Sequence, residues 1–265
     1  MAEERNKVNF LKEILSFLKD LWIVILVVLI IRAFFIAPFE INGHSMDSNF
    51  YDKEFILVNR FTTLNFPFFW QIDPLKRWDV IVFEPRDWKW NLIFHSKHNW
   101  QLKLIPDNFT SKIRRFIAWP KTTYIKRIIA LPWDTIKFEK WEVFLKTKNS
   151  KKFIKLDETF LNASNYWKTN SPVREFKVPE WKVFVMWDNR NNSTDSRFCF
   201  NWAWCWTWDF TAFVDKKYII WKVWFDMWYF SFSKFKFIQP EINKKSTPRF
   251  LNFPKTFNYN LNKYE

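Results

Sequence analysis

One glycine, Gly43, occurs in the 265-residue chain. Soluble proteins carry about 7% glycine and place much of it where the backbone turns with positive φ. With a single glycine, a domain of many tight turns has no ordinary way to make them. Cysteine is nearly absent as well: Cys199 and Cys205 stand with five residues between them. That excludes a disulfide-built scaffold. A small loop closed in an oxidising compartment and two free thiols both stay open. The histidines, His44, His95 and His98, do not combine with the cysteines in zinc-finger spacing, so no metal or other cofactor is expected. Nor is there a Ser/His/Asp set: His44 is the direct neighbour of Ser45 and cannot readily face its hydroxyl.

What fills the gap is tryptophan, with 19 residues. Together the two types make 20 of 265 residues, about 7.5%, close to the usual glycine share. The tryptophans also occupy glycine-like places: Arg77-Trp78-Asp79, Pro132-Trp133-Asp134, Met186-Trp187-Asp188 and the alternation WAWCWTW over residues 202–208. Turn chemistry favours P-G-D and G-D-N, not P-W-D and W-D-N. Most of these tryptophans therefore read as glycines, as a UGA codon translated as Gly in the cell and as Trp from the gene sequence would produce.

The net charge is +15 and the pI about 9.7. A nucleic-acid partner, an anionic membrane surface and the codon bias of an AT-rich gene all predict such a balance. The 33 phenylalanines and the scattering of lysines along the chain favour the last.

Long apolar runs are confined to the N-terminus. Residues 1–20 mix charges with an amphipathic rhythm, and LWIVILVVLII then fills 21–31. Residues 21–39 hold one charge, Arg32, and at helical rise span about 28 Å, enough for a hydrocarbon core. Arg5, Lys7, Lys12 and Lys19 precede the span, which predicts a cytoplasmic N-terminus and an extracytoplasmic remainder. No small-x-small site follows directly, so the segment reads as an uncleaved anchor.

From residue 40 onward the texture is β. Short β-branched or aromatic runs at 55–58, 79–83, 135–138, 142–145 and 182–186 are bounded by turn signals. The predicted fold class is mainly β, an antiparallel sheet domain behind one N-terminal transmembrane helix. Residues 87–120 break the rhythm and read as an insertion or long loop. Residues 233–265 read as a weakly ordered extension.

Four segments carry candidate chemistry. INGHSM (41–46) places Ser45 two residues after the glycine, where a tight turn exposes a hydroxyl and aims a backbone N–H at a developing oxyanion. LKRWDVIVFEP (75–85) is a turn and a strand. In YIKRIIALPWD (124–134), Lys126 lies among isoleucines, where burial lowers its pKa and a neutral amine can take a proton from a serine. VMWDNRNNSTDSR (185–197) supplies Ser193, and Asp188, Arg190, Asp195 and Arg197 for local ion pairs.

With Gly in place of Trp these become KRGDVIVF, YIKRIIALPGD and VPEGKVFVMGDNRNNSTDSR. Following GHSM and an N-terminal anchor in this order, they resemble the bacterial type I signal peptidase (leader peptidase) family. The likeness spans roughly residues 20–60, 72–86, 121–147 and 176–225. It implies a Ser–Lys dyad protease on a largely β, signal-peptidase-like fold. Ser45 would be the nucleophile, Lys126 the general base and Ser193 the hydroxyl that orients the lysine. Arg127, Asp188, Asp195 and Arg197 match positions that support the site electrostatically. Ile41 and Ile125 match apolar positions walling the pockets for the −1 and −3 side chains of A-x-A-like sites.

The organisation that follows is a cytoplasmic segment 1–20, a transmembrane helix 21–39, an extracytoplasmic catalytic domain 40–232 with the insertion 87–120, and the extension 233–265. The partners implied are secretory precursors with signal peptides, and membrane lipids around a monomer in the plasma membrane; no nucleic acid is expected. The chain departs from the family at Ser48-Asn49-Phe50, where P-T-L is usual; at Gly43, where some members place a hydroxyl donor, it is like the members written G-x-S-M, which lack it. A repressor-type self-cleaving Ser–Lys protease would lack the anchor and the 185–197 segment. A tethered nucleic-acid-binding protein would explain charge and aromatics but not the ordered motifs.

Overall fold

The computed structural model describes residues 2–34, 36–47, 49–59, 74–85, 92–95, 102–105, 123–158, 161, 169, 171, 174–190, 194–200, 211–231, 234–238 and 249–250. The chain opens with helix α1 (Ala2–Phe34), of which Lys12–Ile31 is long and apolar enough to cross a membrane. None of that span is buried within the protein. The helix takes in the charged residues before the apolar run and ends earlier than the predicted boundary at 39. Pro38 is the reason: it has no N–H to continue the ladder and disfavours helical φ/ψ in the residue before it. The chain passes instead into β1 (Ile36–Glu40). That strand lies at the sheet edge, where a proline costs no inter-strand bond.

Fourteen further strands follow: β2 (Phe55–Asn59), β3 (Val80–Phe83), β4 (Leu92–His95), β5 (Leu102–Ile105), β6 (Tyr124–Ala130), β7 (Thr135–Glu139), β8 (Glu142–Lys146), β9 (Ile154–Lys155), β10 (Arg174–Lys177), β11 (Lys182–Met186), β12 (Val214–Asp215), β13 (Ile219–Ser231), β14 (Lys236–Ile238) and β15 (Arg249–Phe250). Every pairing among the described residues is antiparallel. The main sheet runs β1-β2-β13-β3-β6-β11-β12, with β14 and β15 also on β13. A four-stranded sheet runs β10-β7-β8-β9, and β4 and β5 form a separate hairpin. The five predicted strand runs are β2, β3, β7, β8 and β11, each within a residue of its predicted bounds. The stretch 87–120 carries the β4–β5 hairpin, and within 233–265 the strands β14 and β15 return to β13.

Packing follows strand alternation. Along β6, Ile125 joins one apolar cluster with Ile41, Met46, Phe50, Val80 and Val82, while Ile128 joins another with Ile81, Phe83 and Val185. A third cluster fills the space against the four-stranded sheet, with Ile129, Phe184 and Met186 meeting Ile136, Phe138 and Leu145.

The turns answer the glycine question at the level of φ. Three four-residue turns close by backbone bonds: Asp79 N–H to Lys76 O, Asp134 N–H to Leu131 O, and Lys182 N–H to Pro179 O. Their third residues are Trp78, Trp133 and Trp181, with φ of 72°, 72° and 64°. A positive φ at that position is what type II turns reserve for glycine or asparagine. The β7–β8 hairpin turns on Lys140 (φ 49°) and Trp141 (φ 69°), the doubly left-handed loop that Asn-Gly normally supplies. Trp187 does not share this positive φ.

Candidate active site

Lys126 stands in the middle of β6, between β3 and β11, with 1% of its surface exposed. Its Nζ donates to the carbonyl of Ile125 at 2.9 Å. It lies 4.8 Å from the ring centre of Tyr124 and 3.9 Å from that of Trp187. Burial penalises the charged ammonium and pulls its pKa well below the ordinary 10.5; the carboxylate of Asp195 opposes this without cancelling it. Burial also pushes the Tyr124 hydroxyl up to about 12, so it stays neutral beside the lysine. The indole Nε1 of Trp187 is buried with no hydrogen-bond partner among the described residues, a loss that a glycine would not incur.

Ser45 is half-buried in the turn between β1 and β2. Gly43 opens that turn at φ 106°, and nothing lies within 4 Å of where a Cβ would sit. The glycine is required by the backbone, not by space. Its N–H donates to Asp52 Oδ1 at 2.6 Å. After Ser45 the chain makes a helix-like turn, with Asn49 and Phe50 N–H donating to Met46 O at 3.1 and 2.9 Å. Met46 and Phe50 are fully buried in the cluster that holds Ile41 and Ile125. Apolar packing thus seats the serine turn against β6. Phe50, a departure from the family pattern, acts as a core residue.

Hydrogen bonds tie the same turn to the segment after β11. Asn189 N–H donates to Ser45 O at 3.1 Å, and its side-chain amide to His44 O at 3.1 Å. Asn49 Nδ2 donates to Asp188 Oδ2 at 2.8 Å. Asp188, with no exposed surface, also receives Arg127 Nε at 2.8 Å and Arg127 Nη2 at 2.6 Å. Arg127 Nη1 donates to Trp78 O at 2.9 Å. Ser45 and Lys126 are therefore linked through hydrogen bonds and the chain: half-buried Ser45 to Asn189, its neighbour Asp188 to Arg127 in a buried pair, and Arg127 to Lys126 along the strand.

The described residues of the 185–197 segment are held by a dense set of bonds. Asp195 caps the 3-10 turn Ser196–Phe198 and receives Arg197 Nε and Nη2 as well as Trp187 N–H. Arg197 Nη2 donates to Arg190 O at 2.9 Å, and Ser196 Oγ accepts from Val185 N–H at 3.0 Å. Arg190 pairs with the buried Glu158. Elsewhere, Arg77 grips Asp134 with three bonds of 2.8 to 3.1 Å, joining the turns before β3 and β7.

Of the candidate residues, Ser45, Lys126, Arg127, Asp188, Asp195, Arg197, Ile41 and Ile125 meet in this region. Ser193 lies outside the described residues, as do Cys205 and His98. Cys199 is disulfide-bonded. No group of three or more metal-ligating side chains occurs among the described residues. Sequence reasoning missed Asn189, Ser196 and Glu158 as structural parts of the site and saw Asn49 only as a departure. Asn189 adjoined a named residue, whereas Glu158 carries no local signal at all.

Comparison with known proteins gives a consistent neighbourhood. The family described as signal peptidase, peptidase S26, matches residues 14–228. Signal peptidase I P of Bacillus subtilis subsp. natto is 28% identical over 196 residues, covering 74% of this chain and 82% of that protein. Signal peptidase I of Bacillus amyloliquefaciens is 28% identical over 200 residues, covering 74% and 84%. The crystal structure of a signal peptidase I from Enterococcus faecalis V583 aligns with a TM-score of 0.34 at 19% identity, covering 57% of this chain and 98% of that one.

Proposed function

The chain belongs to the signal peptidase family, peptidase S26, and is a hydrolase that removes signal peptides from secreted precursors; on that premise we propose that Ser45 is its nucleophile and Lys126 its general base. The observation that carries the assignment is the full burial of Lys126, which lowers the pKa of its amine and so favours the neutral form a general base needs. In the proposed cycle the neutral amine takes the proton from Ser45 Oγ as the oxygen attacks the scissile carbonyl. The oxyanion meets the Ser45 backbone N–H. Lys126 passes its proton to the departing amine, then activates the water that hydrolyses the ester. Ser193 orients the lysine by a hydrogen bond. Arg127 and Asp188, with Asp195 and Arg197, hold the frame.

The substrate binds as an added strand, and its small −1 and −3 side chains enter pockets walled by Ile41 and Ile125. Specificity comes mainly from excluding larger side chains. Helix α1 is an uncleaved membrane anchor with its N-terminus in the cytoplasm. Ser45 comes fourteen residues after Ile31, the end of the apolar span, so the site stays within about 50 Å of the bilayer even on a fully extended chain. The enzyme acts as a monomer, without a cofactor, in the plasma membrane.

The working enzyme has glycine at 78, 133, 141, 181 and 187. The first four have the left-handed φ glycine favours, and at 187 an indole covers one side of the lysine amine. Mass spectrometry of the native protein decides this: tryptic peptides with tryptophan at 133 and 187 would exclude it. The catalytic assignment is tested by precursor cleavage with the glycine-restored chain. Ser45→Ala abolishes cleavage and the parent rate climbs with pH. Undiminished cleavage by Lys126→Ala overturns the dyad.

A further inference from the structure

The Asp188 carboxylate serves two parts of the site at once. Both its oxygens hold Arg127, the neighbour of Lys126 on β6. Its Oδ2 also accepts the side-chain amide of Asn49, which is 139 residues away in sequence and 6% exposed. Asn49 also closes the turn that begins at Ser45, through its own N–H to Met46 O. Apolar packing of Met46 and Phe50 draws this turn toward β6 but sets no direction, because apolar contact is tolerant of sliding and rotation. A charge-assisted hydrogen bond does set direction, and it is stronger than a neutral one.

We propose that Asn49 is a positioning residue that locks the nucleophile turn onto the Asp188–Arg127 pair and so fixes Ser45 relative to Lys126. The bond spans the two halves of the dyad's support. Its loss leaves the packing intact but frees the turn to shift, and small displacements of a nucleophile cost large factors in rate. The residue stands in the stretch where the chain departs from its family, so the same device need not be shared by its relatives. The inference rests on the Ser45–Lys126 reading.

The test uses the full-length protein in detergent with a precursor-derived peptide. Asn49→Leu, similar in volume and without a donor, lowers kcat about ten- to a hundredfold, leaves KM nearly unchanged and lowers Tm by only a few degrees. Asn49→Thr, which keeps a hydroxyl donor, recovers part of the loss. In an Asp188→Ala background the further effect of Asn49→Leu shrinks to within about threefold, because the partner is already gone. Asn49→Ala repeats the comparison without the branched side chain should the leucine variant not fold. Unchanged kcat in both donor-free variants overturns the proposal. So does a lowered Tm with unchanged kcat per titrated active site, or an undiminished loss in the Asp188→Ala background. Ser45→Ala run in parallel separates the two ideas: residual cleavage there sinks the dyad, whereas its loss beside unaffected Asn49 variants sinks the lock alone.

Discussion

Replacing Trp133, Trp141 and Trp181 together with glycine should make the protein more stable, although it deletes three large aromatic side chains. All three hold positive φ, at 72°, 69° and 64°, and their side chains are 42%, 59% and 66% exposed. A left-handed backbone costs an L-residue roughly 1–2 kcal/mol. Glycine removes that cost but adds back about 0.4–1 kcal/mol through the freer unfolded chain. The net gain is about 0.5–1 kcal/mol per site, or roughly 2 kcal/mol for the triple variant. In a chain of this size that raises Tm by about 4–8 °C. Trp78 is left out because its side chain is only 5% exposed and packs in the core, so its removal mixes strain relief with a cavity. Trp224, in β13 at a register shift against β2 but without a positive φ, is the control: Trp224→Gly should lower Tm. Thermal unfolding of the full-length protein in detergent reads both. A triple variant that melts below the parent, or a Trp224→Gly gain of equal size, would refute the backbone argument.

Lys126→Met should abolish cleavage and stabilise the fold. The unfolded chain keeps a proton on Lys126 up to its ordinary 10.5, while burial makes the folded chain release it at lower pH. Unfolding therefore takes up a proton in that window, so parent stability rises with pH and the advantage of Lys126→Met, read as a Tm difference, is largest at low pH and fades toward pH 10. Arg127→Met leaves the Asp188 carboxylate buried without its guanidinium and should cost about 3–5 kcal/mol in denaturant unfolding. Arg127→Met combined with Asp188→Leu should recover part of that loss.

Much of the site could be read along the chain because its chemistry lies in short motifs. The serine turn, the lysine strand and the Asp-Asn-Arg segment each announce themselves by local pattern. The strands β2, β3, β7, β8 and β11 announce themselves by β-branched runs between turns. The helix boundary was less legible: apolar residues continue to 39, but Pro38 decides for strand. Strands β14 and β15 carry too few residues to stand out before β13 gives them a partner. Glu158 and Asn49 had no local pattern, because each acts through a partner distant in sequence.

Sequence alone determined the order of the motifs, the apolar helix, the β character and the anomaly of tryptophan at turn positions, since these are properties of neighbours along the chain. Tertiary structure alone decided that Lys126 is buried, which depends on strands β3 and β11 flanking β6. It also decided that Asp188 joins Arg127 to Asn49, and that Trp78, Trp133, Trp141 and Trp181 turn left-handed while Trp187 does not. Burial, long-range hydrogen bonds and φ are set by how distant segments meet, and composition does not carry that information.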